Sequence, residues 1–436
     1  MIIKFSVQNF SSFKEEQTLS FEADKSNHLE NYYVINSETG HRLLKLGLIY
    51  GANASGKTNF IIALEFLRQM VLEPEEKKTE ILDFNPFLFD PITPKENSIM
   101  TIEFIQETVK YRYQIEFNRK SVVREELFNY NPNKATVFNR TTDINKQLAL
   151  ISFGSKTKVN KQAEKALMSN TLWNNSVLGG YLKTNVEIEE LKNVTDWFSD
   201  YLSPIILPNT DLEGYVTSRI DSSTIKKADI INILRKADLN ISNIVLKKEE
   251  KDIPEGFIDF LEKQLNTPNE KINELKNKRK LTSIDLQFEH TVNNKKYYLP
   301  SEFESEGTMR YYGFAGVLFL LIRDSVAVTI DELESSLHPD LYVHFLLSFL
   351  LSSNKSQLIA TIHNREILNN KELFRNDAIW FTEKMDNCAT ELYSLSDFDT
   401  SVIRDTSNIL NAYKYGKLGA IPNLGDNYIE LSNENQ

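Results

Sequence analysis

The sequence predicts an α/β fold that carries an extra antiparallel β layer and a helical insertion. Three observations lead there. An apolar strand at residues 43–50 runs straight into the glycine-containing turn GANASGKT, and helical periodicity follows it. Between residues 99 and 130 the short runs TIEFIQ, YRYQIEF and VVREELFNY read as strands separated by polar residues. Alternation of strands and helices then disappears and returns only after Leu281, so one sheet is assembled from two distant halves.

Taken in order, residues 1–155 read as strands at 2–8, 18–22 and 43–50, a helix from Lys57 to about Val71, and an antiparallel meander beside that sheet. Residues 156–280 change to helical periodicity, rich in Lys, Glu and Asn, with a break at 252–254; this is the expected insertion. Its apolar positions hold no heptad over three or four repeats, so no long coiled-coil arm is expected. Residues 281–436 supply the strand LTSIDLQFEH, a helix at 307–321, an apolar strand at 326–330, a helix from Pro339, and strands at 357–361 and 378–382. The residues after Asp426 are polar and read as loose.

Composition narrows the chemistry. The 436 residues, 41% of them hydrophobic, suffice for two or three domain-sized units. A single cysteine, Cys388, excludes an intramolecular disulfide and a Cys-based zinc cluster within one chain, and the 6 histidines form no HExxH-like pair. The 50 basic residues against 61 acidic ones give a net charge of -11, so any nucleic-acid binding would have to be local. The basic patch KNKRK at 276–280 is the best place for it, although such a patch also reads as a solvated helix end. The longest apolar stretches, 316–322 and 345–351, fall short of the roughly 18 residues a membrane helix needs. The opening MIIKFSVQNF alternates like a strand and lacks the basic and apolar regions of a signal peptide. No membrane partner is expected, and the expected compartment is the cytoplasm.

The chemistry is carried by the turn GANASGKT: Gly51, Ala52, Asn53, Ala54, Ser55, Gly56, Lys57 and Thr58, followed by Asn59. It fits the pattern G-x-x-x-x-G-K-[ST] after a strand and at the opening of a helix. Glycines let successive amides turn inward around a phosphate, and the helix N-terminus adds favourable potential. Lys57 can then reach β- and γ-phosphates and Thr58 can hold Mg2+, which points to ATP with Mg2+. The second element is VAVTIDELESSLHP, a buried apolar strand that ends in Asp331 and Glu332. With a phosphate loop upstream, Asp331 is placed to bind Mg2+ through water and Glu332 to orient or deprotonate an attacking water. Acids that merely cap the following helix would be Glu334 or Asp340. Most of the chain lies between Lys57 and Asp331, whereas compact P-loop folds bring these motifs much closer together.

With those residues in place the chain resembles ABC ATPases of the SMC, RecF and OLD branch, in which N- and C-terminal halves make one ATPase head. SEFESEGTMRYYG is similar to the ABC signature, with Ser305 and Gly307 in its Ser-x-Gly core. In that family the signature contacts the γ-phosphate held by the opposite subunit. SQLIATIHN puts His363 just after an apolar strand, where the family carries its switch histidine. Glu334 and SSLHPD resemble the D-loop region, and His338 is read as a helix-start residue without a catalytic role. Gln106 is a candidate for the family's glutamine loop by residue type alone, and NPFLFD at 85–90 lies where the family turns into its lobe.

The resemblance narrows through IKFSVQNFSSF, NPFLFD, VVREELF, TELYSLSDF and YKYGKLGAIPNL, which are similar to stand-alone ATPases of abortive-infection operons, the RloA-like and AbiL-like proteins. It implies ATP hydrolysis, a head-to-tail dimer or larger homo-oligomer, and an anti-phage role beside an effector protein from a neighbouring gene. An AAA+ motor and a GTPase fit poorly, the latter because the nearest strings to N-K-x-D are NKAT and NKEL. The stretch after His363 is too short for the Toprim nuclease of an OLD protein. A RecF-like DNA repair ATPase is the alternative, and a scaffold that binds ATP to hold a dimer is a third reading.

Overall fold

The run LGLIYG at Leu46–Gly51 is buried at every position, as a strand covered on both faces must be. In the computed structural model, which describes residues 1–253, 280–370, 372–398 and 409–422, this strand is the centre of a five-stranded sheet. The order is Ala327–Ile330, Gln357–Thr361, Leu46–Gly51, Ile379–Lys384 and Thr390–Ser394. The first four strands run parallel and the last is antiparallel. The two halves expected from the sequence do build one sheet, and the expected helix after the turn spans Lys57–Leu72.

A seven-stranded antiparallel sheet forms the extra layer. Its order is Leu148–Phe153, Lys134–Asp143, Val122–Tyr130, Val109–Phe117, Ser98–Gln106, Ile2–Gln8 and Gln17–Ser20. Val109–Phe117 shows the period of two that buries alternate residues. Phe10, Phe66, Phe84 and Phe117 form an aromatic cluster with ring centroids 4.9–5.7 Å apart, joining this sheet to the helix Lys57–Leu72. A polar pin fastens the sheets at their other end. Gln357 accepts from Ile2 N at 2.6 Å, donates to Ile2 O at 3.0 Å and to Leu44 O at 3.1 Å, and receives the Tyr201 hydroxyl at 3.0 Å.

The chain divides into two compact units, Met1–Pro208 with Leu321–Ser335 and Leu346–Gln436, and Asn209–Leu320 with Ser336–Phe345. The expected boundaries at 155/156 and 280/281 therefore differ from the structural ones. The reason is packing. Residues 161–201 are largely helical, as expected, yet Ser176 donates to Met70 O at 2.7 Å and Trp197 stacks on Phe104 with ring centroids 4.0 Å apart, and this stretch belongs to the first unit.

The second unit contains the helices Leu212–Asp221 and Lys227–Lys236 and a three-stranded sheet, Asn243–Asp252, Lys280–Val292 and Lys295–Pro300. NIVLKKEEKD was expected to be helical. Its charged second half resembles a solvated helix face, and pairing along Lys280–Glu289 overrides that local preference. Lys295–Pro300 was not anticipated either, although Asn293 and Asn294, at φ 50° and 60°, make the left-handed turn that two-residue hairpins require. The expected strand at 43–50 is split at Lys45, because Leu44 pairs with Val34 whereas Leu46 pairs with Leu358. Most of the KNKRK patch and the polar residues after 426 lie outside the described residues. Among those described, no helix is long and apolar enough to cross a membrane.

One buried charge in the antiparallel layer has a measurable signature. Glu125 is 0% exposed, accepts the Tyr113 hydroxyl at 2.8 Å and the Val177 amide at 2.8 Å, and faces Arg140, itself buried. Burial, opposed chiefly by Arg140, pushes its carboxyl up to about 7 from 4.5. A raised folded-state value gives stability that is present below the ordinary carboxylate range and lost as pH climbs through 7. The stability of wild type against thermal unfolding should therefore fall between pH 5 and 7.5 relative to Glu125→Gln, by up to about 3 kcal/mol. Parallel pH slopes for the two proteins would refute this.

Candidate functional site

The turn after Leu46–Gly51 takes backbone conformations that few residues allow. Gly56 has φ 107°, and a Cβ there would stand 2.4 Å from the Thr390 hydroxyl oxygen. Ala54 holds φ 60°. Hydroxyls line the loop from behind. Ser55 and Thr382 share a hydrogen bond at 2.6 Å, Thr390 donates to Ser55 O at 2.8 Å and shares a hydrogen bond with the Ser12 hydroxyl at 2.8 Å, and Asn59 donates to Ser12 Oγ at 2.9 Å. Ala52, Asn53 and Ala54 are left as the accessible arc of the loop, while Ser55, Gly56 and Lys57 are buried.

Lys57 opens the helix and turns its ammonium into the loop, donating to Gly51 O at 2.8 Å and Ala52 O at 3.0 Å. Burial lowers its pKa to about 8, with Asp331, Glu334 and Glu332 pulling it back up. Thr58 donates to Asp331 at 3.1 Å and 3.2 Å, which joins the phosphate loop to the acidic strand. Asp331 is buried and also receives the Thr361 hydroxyl at 2.6 Å.

Glu332 adopts φ 49°, with its amide donating to Thr361 Oγ1 at 2.8 Å and its carboxylate 3.6 Å from His363 Nε2. The structure thus brings together Gly51 to Asn59, Asp331, Glu332 and His363 in the first unit. Ser305 and Gly307 belong to the second unit. There Ser305 is exposed and accepts the Thr308 amide at 3.0 Å, opening the helix Glu306–Arg323.

Two sequence candidates are placed elsewhere. Gln106 ends its strand in the hairpin with Val109, and Ile105 N bonds Met1 O beside the Gln357 pin. That is the opposite end of the sheet from the loop, because the phosphate turn follows the C-terminal ends of the parallel strands. Residue type alone had suggested it. Glu334 does not cap the helix Pro339–Ser352, whose first turn carries Asp340 instead. It accepts from the amides of His363 and Asn364. Thr361, Ser12, Thr382 and Thr390 were missed. Thr361 alone left a signal, a hydroxyl closing the buried run QLIAT two residues before the histidine.

The donor set suits a magnesium triphosphate. No group of three or more His, Cys, Asp or Glu among the described residues could hold a metal, but Mg2+ at such sites is bound by one or two carboxylates with substrate phosphates and water. Thr58 and Asp331, already in contact, are the residues that would hold it. The buried ammonium of Lys57 and the inward loop offer the anion its donors.

Fold and site together define an α/β P-loop protein with a phosphate loop, and an acidic pair and a histidine just beyond the ends of neighbouring strands. The chain belongs to the family described as AAA domain, putative AbiEii toxin, Type IV TA system, whose model matches residues 48–369. It is accordingly an AAA-type ATPase domain. Three solved structures share similarity with it. The crystal structure of the SmcHead bound to the C-winged helix domain of ScpA is 14% identical, with 90% of this chain and 97% of that one covered at a TM-score of 0.43. The SMC head domain from Thermotoga maritima is 11% identical, with 90% and 98% covered at a TM-score of 0.38. The Smc head domain with an extended coiled coil, bound to the C-terminal domain of ScpA from Pyrococcus furiosus, is 12% identical, with 90% and 96% covered at a TM-score of 0.40. No curated protein matches the chain.

The depressed pKa of Lys57 makes nucleotide affinity pH-dependent. A phosphate favours the charged ammonium, so above pH 8 binding must first take up a proton. Affinity for ATP should fall about tenfold per pH unit above that value, with proton uptake visible as a buffer-dependent heat in calorimetry. Constant affinity from pH 7 to 9.5 would contradict the assignment.

Proposed function

We propose that this protein binds Mg-ATP at residues 51–59 and hydrolyses it slowly, as the regulatory ATPase of an anti-phage abortive-infection system with a separately encoded effector. The observation that carries the enzymatic part is the Thr58–Asp331 contact, which joins the two nucleotide motifs across most of the sequence. Thr58 and Asp331 hold the metal, which when bound neutralises charge on the β- and γ-phosphates. Lys57 binds the same phosphates. Glu332, whose half-exposed carboxylate stands beside His363, takes the proton of the attacking water, and His363 contacts the γ-phosphate and reports its presence.

A second copy completes the site. Ser305 and Gly307 of one subunit face the triphosphate held by the other, so that two ATP molecules are shared in a head-to-tail dimer. Closure then depends on differential affinity, because two polyanions are buried favourably only with Mg2+ and donors from both sides. The defence role rests on the family's description and on the resemblance of both chain ends to abortive-infection ATPases.

Lys57→Ala should weaken ATP binding. Glu332→Gln should keep it, lower turnover by about 10²–10⁴-fold and accumulate a nucleotide-bound dimer in sedimentation experiments. Normal turnover in Glu332→Gln removes Glu332 from the mechanism. Strong, salt-sensitive stimulation of wild type by double-stranded DNA would favour the repair reading instead.

A further inference from the structure

Glu332 and His363 are the two reactive side chains held least by packing, with exposures of 44% and 36%. Their positions therefore follow from their backbones. Two short segments carry them, residues 332–335 after the acidic strand and 362–364 after the strand Gln357–Thr361. These segments are laced together: Glu332 N bonds Thr361 Oγ1 at 2.8 Å, Leu333 N bonds Thr361 O at 3.1 Å, and Ser335 N turns back to Glu332 O at 2.9 Å.

The lacing extends past the end of the strand through one side chain. Ile362 N still bonds Ile49 O within the sheet, but the next two amides leave it. Both point at Glu334. Its Oε1 accepts from His363 N and from Asn364 N, the latter at 3.1 Å, and Asn364 in turn caps the following 3-10 turn by accepting from Glu366 N at 2.9 Å. A carboxylate that receives two consecutive peptide N–H groups forms charge-assisted bonds with fixed direction. Its Oε2 is buried without a hydrogen-bond partner among the described residues, so Glu334 is not placed there by solvation.

We infer that Glu334 is a positioning residue, a clamp that fixes the backbone of His363 and Asn364 and thereby sets the imidazole beside the Glu332 carboxylate. The catalytic consequence rests on the reading of Glu332 and His363 given above; the clamp itself rests on the two amide bonds.

Two variants of the full chain separate the consequences. Glu334→Gln keeps a carbonyl oxygen that can accept both amides, whereas Glu334→Ala keeps none. Without nucleotide, hydrogen exchange at the amides of residues 363 and 364 should be at least about tenfold faster in Glu334→Ala and close to wild type in Glu334→Gln. Single-turnover ATP cleavage should fall at least about tenfold in Glu334→Ala and be largely rescued in Glu334→Gln, while the Kd for Mg-ATP changes less than about threefold in either. Unchanged exchange in Glu334→Ala overturns the clamp. Equal loss of cleavage in both variants also overturns it, since charge rather than amide acceptance would then matter. A wild-type chain that cleaves no ATP overturns the hydrolysis reading alone, and the exchange result still judges the clamp.

Discussion

The constraint on which the site depends is the insertion of the strand Gln357–Thr361 between the acidic strand and the phosphate-loop strand. Its parallel register pairs Ile330 with Ala360 and Thr361 with Ile49, so three strands from distant parts of the chain end at one edge. Ligand sites of open parallel sheets lie beyond that edge because every loop there emerges in the same direction. The acidic strand is two strand spacings from the phosphate loop, roughly 10 Å. Thr58, projecting from the first turn of its helix, spans the gap to Asp331, and the middle strand fills it from below with the Thr361 hydroxyl.

That geometry also answers the electrostatic problem. Lys57 and Asp331 are each buried to within a few per cent, and a buried charge without partners is strongly unfavourable. Asp331 receives two hydroxyls, from Thr58 and Thr361. Lys57 bonds two loop carbonyls, and its lowered pKa records the desolvation that remains. The Gln357 pin holds the other end of the middle strand to the first strand of the antiparallel layer, so the scaffold behind these charges is tied at both ends. Binding groups are thereby organised before any ligand arrives, which spares the rearrangement a flexible site would need.

How much of this was legible follows from the range of the forces involved. The strand, turn and helix around Gly51 to Thr58 announce themselves locally, because a fully buried run, two glycines and a helix start each leave a mark within a few residues. The acidic strand was legible for the same reason. Thr361 was not, since its role exists only once two strands are placed side by side. NIVLKKEEKD misled because six of its ten residues are charged and its strand conformation comes from a partner strand that follows much later in the sequence. The unit boundary was missed because Trp197 and Ser176 make their decisive contacts with residues far upstream, and periodicity says nothing about which surface a helix chooses.

A last asymmetry separates binding from chemistry. Lys57 and Asp331 are buried and fixed by several bonds each, whereas Glu332 and His363 are partly exposed and meet at 3.6 Å, longer than a good hydrogen bond. Groups fixed in advance favour the bound ground state, and only those that improve their contacts in the transition state accelerate a reaction. In this arrangement the groups of the phosphate loop are fixed in advance, whereas Glu332 and His363 keep exposed faces on which a further contact could tighten their geometry.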